Sequence, residues 1–351
     1  MSKLTCFYVW MACLLLTSCH RRPLLQPNGD TILKVHLVTD SINNVTCNIY
    51  NENIECPVIT SDMLRVFLYD KAGSPLLMQK FISDKSIDDR GFETLSGSLP
   101  VLPGLYGLLA YNFDVDATYI ADEGDINTVR AYTEEISRTL YTRFGSRSDA
   151  MGKVYYQPEH VMVAANPSLR IDEHHDTEII EMDAYTVIST YYIQIRITGY
   201  KNLATNAAAL AVLSGLSQSV LLKDGTHVKE PASVYFELQR SKDTKTADED
   251  QMILCAVFNT FGRIEQISSE LQVTFTALTK DGKTHQKVVD MVPVFETEDA
   301  RLRNWLLIDE TWEIPSVPGG DGEGGGSGSG SGGGFGPMVD AWEDIEELIP
   351  L

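Results

Sequence analysis

The sequence is poor in basic residues, and this scarcity excludes one large class of partner. It has 28 Lys and Arg residues against 49 Asp and Glu residues, which gives a formal net charge of -21. Binding to nucleic acid depends on clusters of Lys and Arg that neutralise phosphates. We therefore expect no nucleic-acid partner, and the excess of carboxylates favours solubility.

Cysteine is also scarce. The six cysteines are Cys6, Cys13, Cys19, Cys47, Cys56 and Cys255. Their irregular spacing argues against a disulfide framework. Cys47 and Cys56 flank the turn-like residues 51–53, so one hairpin disulfide is left open. No set of Cys and His residues has the spacing of a metal site, and we expect no metal or cofactor.

The N-terminus has the pattern of an exported, lipid-anchored protein. The apolar run Phe7–Thr17 is too short to span a bilayer as a helix, so residues 1–18 are predicted to be a signal peptide. Small residues precede Cys19, as in the lipobox of bacterial lipoproteins, where the cysteine accepts diacylglycerol and then an acyl chain such as palmitate. Several chains anchor stably, because each buried CH₂ contributes about 0.8 kcal/mol. Residues 19–30 are predicted to be a spacer.

Short β-rich runs dominate from residue 31 onwards. Thr31–Thr39 alternates apolar and polar residues, and similar runs at Leu64–Asp70 and Leu76–Ile82 are bounded by Asn, Asp, Gly or Pro. Asp281-Gly282 lies between two alternating runs, which is a strong hairpin signal. The pattern predicts an all-β chain with two tandem β-sandwiches.

We predict that the N-terminal sandwich covers residues 31–170 and the C-terminal sandwich residues 177–315. The boundary is placed in the polar stretch Asn166–Thr177. One short helix is predicted over Thr128–Phe144 in the first domain, because apolar residues recur there every three or four positions. They are Ala131, Tyr132, Ile136, Leu140 and Phe144.

The end of the chain differs in composition. Residues 316–334 are rich in Gly and Ser and are predicted to be a flexible linker with an r.m.s. reach on the order of 20 Å. Residues 335–351 are acidic and amphipathic. As a strand they place most apolar residues on one face, and as a helix several also share a face, so periodicity alone does not decide. We expect docking by strand addition, either to the chain's own domain or to a neighbouring chain, with the docking residues Val339, Trp342, Ile345, Ile349 and Leu351.

No catalytic motif is present. The polar run Asp172–Asp176 contains two histidines, but neighbours on an extended chain point to opposite faces, so a loop is favoured over a metal site. Trp305 and Trp312 are expected to pack rather than to form a sugar-binding platform. The same holds for the aromatic residues Tyr185, Tyr191 and Tyr192. We expect no catalytic residue and no small-molecule substrate.

Two tripeptides resemble O-glycosylation sites of exported proteins, in which Asp precedes Ser or Thr and an apolar residue follows. They place candidate acceptors at Thr31 and Ser41. A three-residue pattern is weak, and Thr31 is unavailable if it is part of a strand.

Longer motifs resemble an uncharacterised Bacteroides lipoprotein family related to the anchor and accessory subunits of fimbrillin-type (type V) pili. They are Cys19–Leu24, Ser83–Lys85, Tyr111–Phe113, Thr190–Ile195, Val234–Leu238, Phe258–Arg263 and the tail with Trp342. The resemblance covers nearly the whole mature chain. It implies two transthyretin-like or immunoglobulin-like sandwiches and no catalytic residues.

The resemblance also implies a structural or adhesive role at the outer membrane. The expected partners are the membrane, through the lipid on Cys19, and pilin-like or other surface proteins. The side of the membrane is left open, because His20, Arg21 and Arg22 follow Cys19 where some surface-exposed relatives carry acidic residues. The alternative is a carbohydrate-binding lipoprotein of a polysaccharide-uptake system.

Overall fold

The computed structural model describes residues 29–39, 59–113, 115–137, 153–204, 209–241, 251–264 and 270–317. Most of them lie in β-strands, which confirms the predicted all-β class. The strands of the first half are β1 (Thr31–Leu37), β2 (Leu64–Asp70), β3 (Leu76–Ile82), β4 (Asp84–Ile87), β5 (Glu93–Leu99), β6 (Gly104–Asn112), β7 (Tyr119–Ala121), β8 (Arg130–Tyr132), β9 (Val154–Tyr155), β10 (Met162–Ile171) and β11 (Glu178–Thr186).

The second half continues the pattern. Its strands are β12 (Ser189–Thr198), β13 (Ala209–Ser217), β14 (Ser219–Leu221), β15 (Pro231–Arg240), β16 (Gln251–Thr260), β17 (Gln272–Leu278), β18 (Thr284–Asp290) and β19 (Trp305–Glu313). Two short helices, α1 (Val292–Phe295) and α2 (Glu298–Arg303), connect β18 to β19. None of the helices in the described part of the chain is long and apolar enough to cross a membrane.

The first sandwich is one sheet that folds over itself. Its eight strands run in the order β3-β2-β6-β10-β11-β1-β5-β4. Only two residue pairs join β10 to β11, so the sheet folds there into two layers. Leu33 and Val35 of β1 and Val66 of β2 are fully buried between them. The polar neighbours Lys34 and His36 stay half-exposed, as the alternation in the sequence predicts.

The predicted domain boundary at Asn166–Thr177 is wrong. Residues 162–171 form β10 and residues 178–186 form β11, and both belong to the first sheet. Residues 172–177 connect these two strands. They are polar because the backbone groups of a connection at a sheet end need contact with water. The second sandwich begins at β12, after the short connection at residues 187–188.

The second sandwich has its strands in the order β18-β17-β13-β15-β16-β12-β19. The β12–β16 ladder runs through ten residue pairs, and β19 pairs with β12 in parallel. The predicted Asp281-Gly282 hairpin joins β17 to β18, and Gly282 has φ 76°, which favours glycine. The core of the second sandwich contains the stacked rings of Phe236 and Phe258, whose centroids are 4.1 Å apart.

The helix predicted over Thr128–Phe144 is not found in the described residues. Arg130–Tyr132 form β8, which pairs with β7 and β14, and residues 138–144 lie outside the described part. Val129 and Ala131 are fully buried while Arg130 between them is half-exposed. This two-residue alternation buries one face against neighbouring strands, and it overrides the helical spacing of the longer segment.

The two sandwiches share a third buried cluster. The outer face of β2 and β6 supplies Phe67, Leu109 and Tyr111, and it is covered by Val220 of β14 and by Phe261, which follows β16. All five side chains are at most 3% exposed. The halves of residues 29–316 therefore bury a continuous apolar interface, which stabilises their association.

Candidate functional site

The histidines of the run Asp172–Asp176 belong to a structural connection. The Nε2 atom of His174 lies 3.0 Å from the hydroxyl of Thr31, and its Nδ1 atom lies 2.7 Å from the carbonyl of Asp176. His174 thereby ties the β10–β11 connection to the first strand. Among the described residues, no group of three His, Cys, Asp or Glu side chains could hold a metal ion.

Thr31 is a poor glycosylation acceptor, contrary to the tripeptide pattern. It is the first residue of β1, is 1% exposed and contacts His174 through its hydroxyl. A modifying enzyme cannot reach a side chain that is buried in a strand. The other predicted acceptor, Ser41, lies outside the described residues.

Several other predicted residues also lie outside the described part of the chain. They are Cys19, Cys47, Cys56, Val339, Trp342, Ile345, Ile349 and Leu351. The lipid anchor, the hairpin disulfide and the docking of the tail therefore stay predictions. Cys255 is described, and it is buried in β16.

The aromatic residues divide into buried and exposed groups. Trp305 and Trp312 are each 4% exposed, so both pack into the second sandwich as predicted. Tyr191 and Tyr192 are likewise buried. Tyr185 is 54% exposed, so its predicted burial is wrong. It stands on the outer face of β11, which the described residues leave largely exposed, whereas β12 has both faces packed.

Charged side chains on the outer face of the first sheet form a network beside Tyr185. The Arg90 guanidinium donates to Asp183 at 2.6 Å and to Asp88 at 2.9 Å. The Nδ1 atom of His36 lies 3.2 Å from Asp88 and 2.8 Å from the hydroxyl of Thr94. This network, which we call the Arg90 network, lines a polar cleft of about 640 Å³.

Both carboxylates of the Arg90 network are held in their ionised form. The hydrogen bond from Arg90 keeps the pKa of Asp183 below its ordinary value. Burial raises the pKa of Asp88, but hydrogen bonds from Phe92 and Arg90 outweigh that effect and lower it. Sequence analysis missed these residues. The two-residue period of a strand, which places Asp183 on the same face as Tyr185, was the signal that could have found it.

A second polar network lies at the junction of the sandwiches. His160 is buried, with Nδ1 3.0 Å from the Thr186 hydroxyl and Nε2 3.0 Å from the Thr190 hydroxyl. Asn112 donates to the carbonyl of His160. Burial lowers the pKa of His160 to about 4, so its ring is neutral at physiological pH. The group is hydrogen-bonded throughout, which makes it a structural connection rather than a catalytic base.

The edge strand β3 carries exposed apolar side chains. Leu77 is 53% exposed and Phe81 is 48% exposed, and both lie on the outer face of the strand. The ring of Phe81 contacts that of Phe113, with centroids 5.3 Å apart. We call these three residues the β3 patch. Large apolar side chains that share an accessible edge are a common feature of binding surfaces.

Comparison with known proteins identifies relatives. A curated protein of Bacteroides ovatus named "Putative fimbrium anchoring subunit Fim4B" is 22% identical over 234 residues, which are 67% of this chain and 60% of that protein. The matched region thus spans less than two thirds of the relative.

Solved structures extend the comparison. A "putative adhesin" from Bacteroides ovatus is 17% identical, with a TM-score of 0.54, over 86% of this chain and 99% of the other. This likeness establishes a shared fold. The fimbrial anchor protein Mfa2 from Porphyromonas gingivalis is 17% identical, with a TM-score of 0.43, over 79% of this chain and 88% of the other.

A family model assigns the chain directly. The model described as a domain of unknown function, DUF5119, matches residues 34–237, which is more than half of the chain. The matched region begins within β1 and ends within β15, so it includes nearly all of the first sandwich and its junction with the second. The protein therefore belongs to the DUF5119 family.

Proposed function

We propose that this protein is a non-enzymatic subunit of fimbriae or related adhesive surface structures, held at the outer membrane by lipid on Cys19. Its role is that of a structural anchor or a short accessory subunit. The name of the Bacteroides ovatus relative supports a fimbrial role. The fold shared with the adhesin structure supports it further.

The observation that carries the proposal is the β3 patch at an open sheet edge. In the described part of the chain, β3 is the last strand of the first sheet and pairs only with β2. An edge strand presents backbone N–H and C=O groups that a strand of another subunit can complete. Leu77, Phe81 and Phe113 would supply the apolar contacts beside such a strand.

The second sandwich has edges that are better protected against strand addition. The strands β18 and β19 are the two edge strands of this sheet. Lys287 of β18 forms an ion pair with Glu310 of β19 at 2.7 Å. Its side chain is 22% exposed. A lysine that points inward at an edge opposes pairing with arbitrary strands, so partners are directed to the first sandwich.

The ends of the chain fit an anchoring role. Lipid on Cys19 would leave the spacer to carry the fold away from the membrane surface. At the other end, the linker 316–334 would let residues 335–351 reach a neighbouring subunit. We infer that this peptide docks by strand addition, with Trp342, Ile345 and Ile349 as its main apolar contacts.

Substitutions in the β3 patch give the sharpest test of the docking edge. Leu77→Ser combined with Phe81→Ser should abolish co-purification of fimbrial subunits from cells that express the tagged protein. Leu302→Ser is the matched control, because Leu302 is 72% exposed on α2 and lies outside the patch. Equal recovery of partners with the double variant and the wild type would contradict the proposed docking edge.

Deletion of residues 335–351 tests the second contact separately. The truncated protein should keep its far-UV spectrum, since the described strands end at Glu313, and should lose the partners that depend on the tail. Replacing the apolar docking residues with Ser inside an otherwise full-length tail controls for chain length. A truncated protein that binds all partners unchanged would reduce the tail to a spacer.

The alternative, a role in carbohydrate uptake, is less well supported, because its candidate sugar-binding tryptophans are buried. A sugar platform at Trp305 and Trp312 requires exposed rings, and both rings are buried. Neighbouring genes discriminate the two functions: pilin-like lipoproteins favour the fimbrial role, and glycan transporters favour the alternative.

A further inference from the structure

An exposed tyrosine stands where two polar clefts meet on the first sheet. Tyr185 is 54% exposed, and its hydroxyl donates to the carboxylate of Asp183 at 3.3 Å. Asp183 lines the cleft of the Arg90 network and also a second cleft, which Tyr185 lines as well. The ring is thereby held in place at its hydroxyl end while it stays accessible.

The second cleft, which we call the Tyr185 groove, has a volume of about 480 Å³. It runs between the end of β11 and the turn at residues 222–227, which follows β14 of the three-stranded sheet β14-β8-β7. Val163 and Ala165 of β10 provide an apolar floor, and Lys223 and Asp224 belong to the opposite wall. Ligand sites commonly lie at such junctions and have volumes of roughly 300–1,000 Å³.

The groups in the Tyr185 groove suit a ligand that combines a hydroxyl donor with an apolar ring face. Asp183 is acceptor-only when ionised, and two carboxylate oxygens offer about four lone-pair positions. Arg90 and Tyr185 occupy three of them, with contacts of 2.6, 3.2 and 3.3 Å. The aromatic face offers an apolar surface to the C–H groups of a pyranose ring.

Charge argues against other ligand classes. The nearby cations are engaged: Arg90 binds Asp183 and Asp88, and Lys223 donates to Asn127 at 2.7 Å. Among the described residues that line this groove, an anionic ligand would meet one lysine, Lys223, together with the carboxylates of Asp183 and Asp224, so the balance of charge disfavours it. A divalent metal is disfavoured as well, since the described side chains include no cluster of three ligands.

We propose that Tyr185 and Asp183 form a binding site for a neutral saccharide. The Tyr185 ring stacks on a pyranose face, and the Asp183 carboxylate accepts a hydrogen bond from one sugar hydroxyl at its remaining lone-pair position. Arg90 positions Asp183 and does not itself contact the sugar. The site is separate from the β3 patch, so a fimbrial role stands or fails independently of it.

Binding of neutral oligosaccharides tests the proposal. The full-length protein, purified in detergent, is applied to an array of immobilised neutral α-glucan, mannan and galactan oligosaccharides, and hits are measured by calorimetry. Tyr185→Ala should weaken binding about tenfold or more, because an aromatic contact is removed. Tyr185→Phe keeps the ring and should bind within a few-fold of the wild type. Tyr156→Ala, which alters a tyrosine that is 43% exposed outside the groove, should bind unchanged.

Four outcomes would overturn the site. They are absence of binding to every neutral oligosaccharide, equal binding by Tyr185→Ala, equal weakening by Tyr156→Ala, and selective binding of anionic glycans on the same array. Far-UV spectra and melting curves of each variant separate loss of the site from loss of the fold. Asp183→Ala, which removes the proposed acceptor and leaves the ring, should also weaken binding, and it keeps the test informative if Tyr185→Ala proves unstable.

Discussion

The Nε2 atom of His160 lies 3.0 Å from the hydroxyl of Thr190, and this contact connects the two sandwiches. Thr190 belongs to β12, the first strand of the second sandwich, while the other ring nitrogen of His160 contacts Thr186 at the end of β11. Thr190 also donates to Asn259 of β16 at 2.8 Å. One neutral imidazole thus holds both sides of the short connection at residues 187–188.

The first prediction concerns pH. Burial lowers the pKa of His160 from 6.5 to about 4 in the folded protein. Below pH 6.5 the unfolded chain binds a proton that the folded protein rejects, so the free energy of unfolding falls as the pH drops towards 4. The full loss is on the order of 3 kcal/mol. Urea unfolding between pH 7.5 and 5 measures this slope.

His160→Gln removes the titrating group and should flatten that slope, even if the variant is less stable at neutral pH. His285→Gln, at a half-exposed position of β18, serves as the control and should keep the wild-type slope. The explanation fails if His160→Gln shows the same dependence on pH as the wild type.

The second prediction concerns cooperativity. Sequence patterning predicted two tandem sandwiches, and the cluster around Phe67, Tyr111 and Phe261 is buried between the two halves. We expect one unfolding transition, with far-UV circular dichroism and tryptophan fluorescence coinciding. Phe261→Ala should destabilise that single transition by about 3–5 kcal/mol, as for other buried phenylalanines.

Phe113→Ala provides a comparison, because Phe113 is 37% exposed and the loss should be much smaller. Two separate transitions in the wild type would refute a shared core. Destabilisation of the second sandwich alone in the Phe261→Ala variant would also refute a shared core.

Sequence patterning predicted the strands well where one face is buried. Leu64–Asp70 and Leu76–Ile82 coincide with β2 and β3, because bulky residues with turn residues at both ends form half-buried strands. It failed at β8, where a three-residue strand depends on distant partners in β7 and β14. No local period can report such pairing.

The candidate sites were harder to predict for the same reason. Arg90 and Asp183 are 93 positions apart in the chain, and their contact depends on which strands pair. The exposure of Tyr185 depends on its face of β11, which the aromatic run around it concealed. Burial of Thr31 could be anticipated, since it begins an alternating strand.

The third prediction concerns Cys19. If lipid on this residue anchors the protein, Cys19→Ala should move it from the membrane fraction to the soluble fraction of cells. It should also abolish labelling by a clickable palmitate analogue. Cys255→Ala is the control, because Cys255 is buried in the fold and cannot carry lipid. Continued membrane fractionation and labelling of the Cys19 variant would rule out this anchor.

The most direct test of the fimbrial role is retention of fimbriae on cells. The gene is deleted in the native bacterium and restored as the wild type, as Cys19→Ala or as Leu77→Ser with Phe81→Ser. Fimbrial protein is then measured on washed cells and in the medium. An anchoring role predicts that the wild type keeps fimbriae on cells, while the deletion and both variants release them into the medium or reduce their assembly. Equal amounts of cell-bound fimbriae in all four strains would contradict the proposed function.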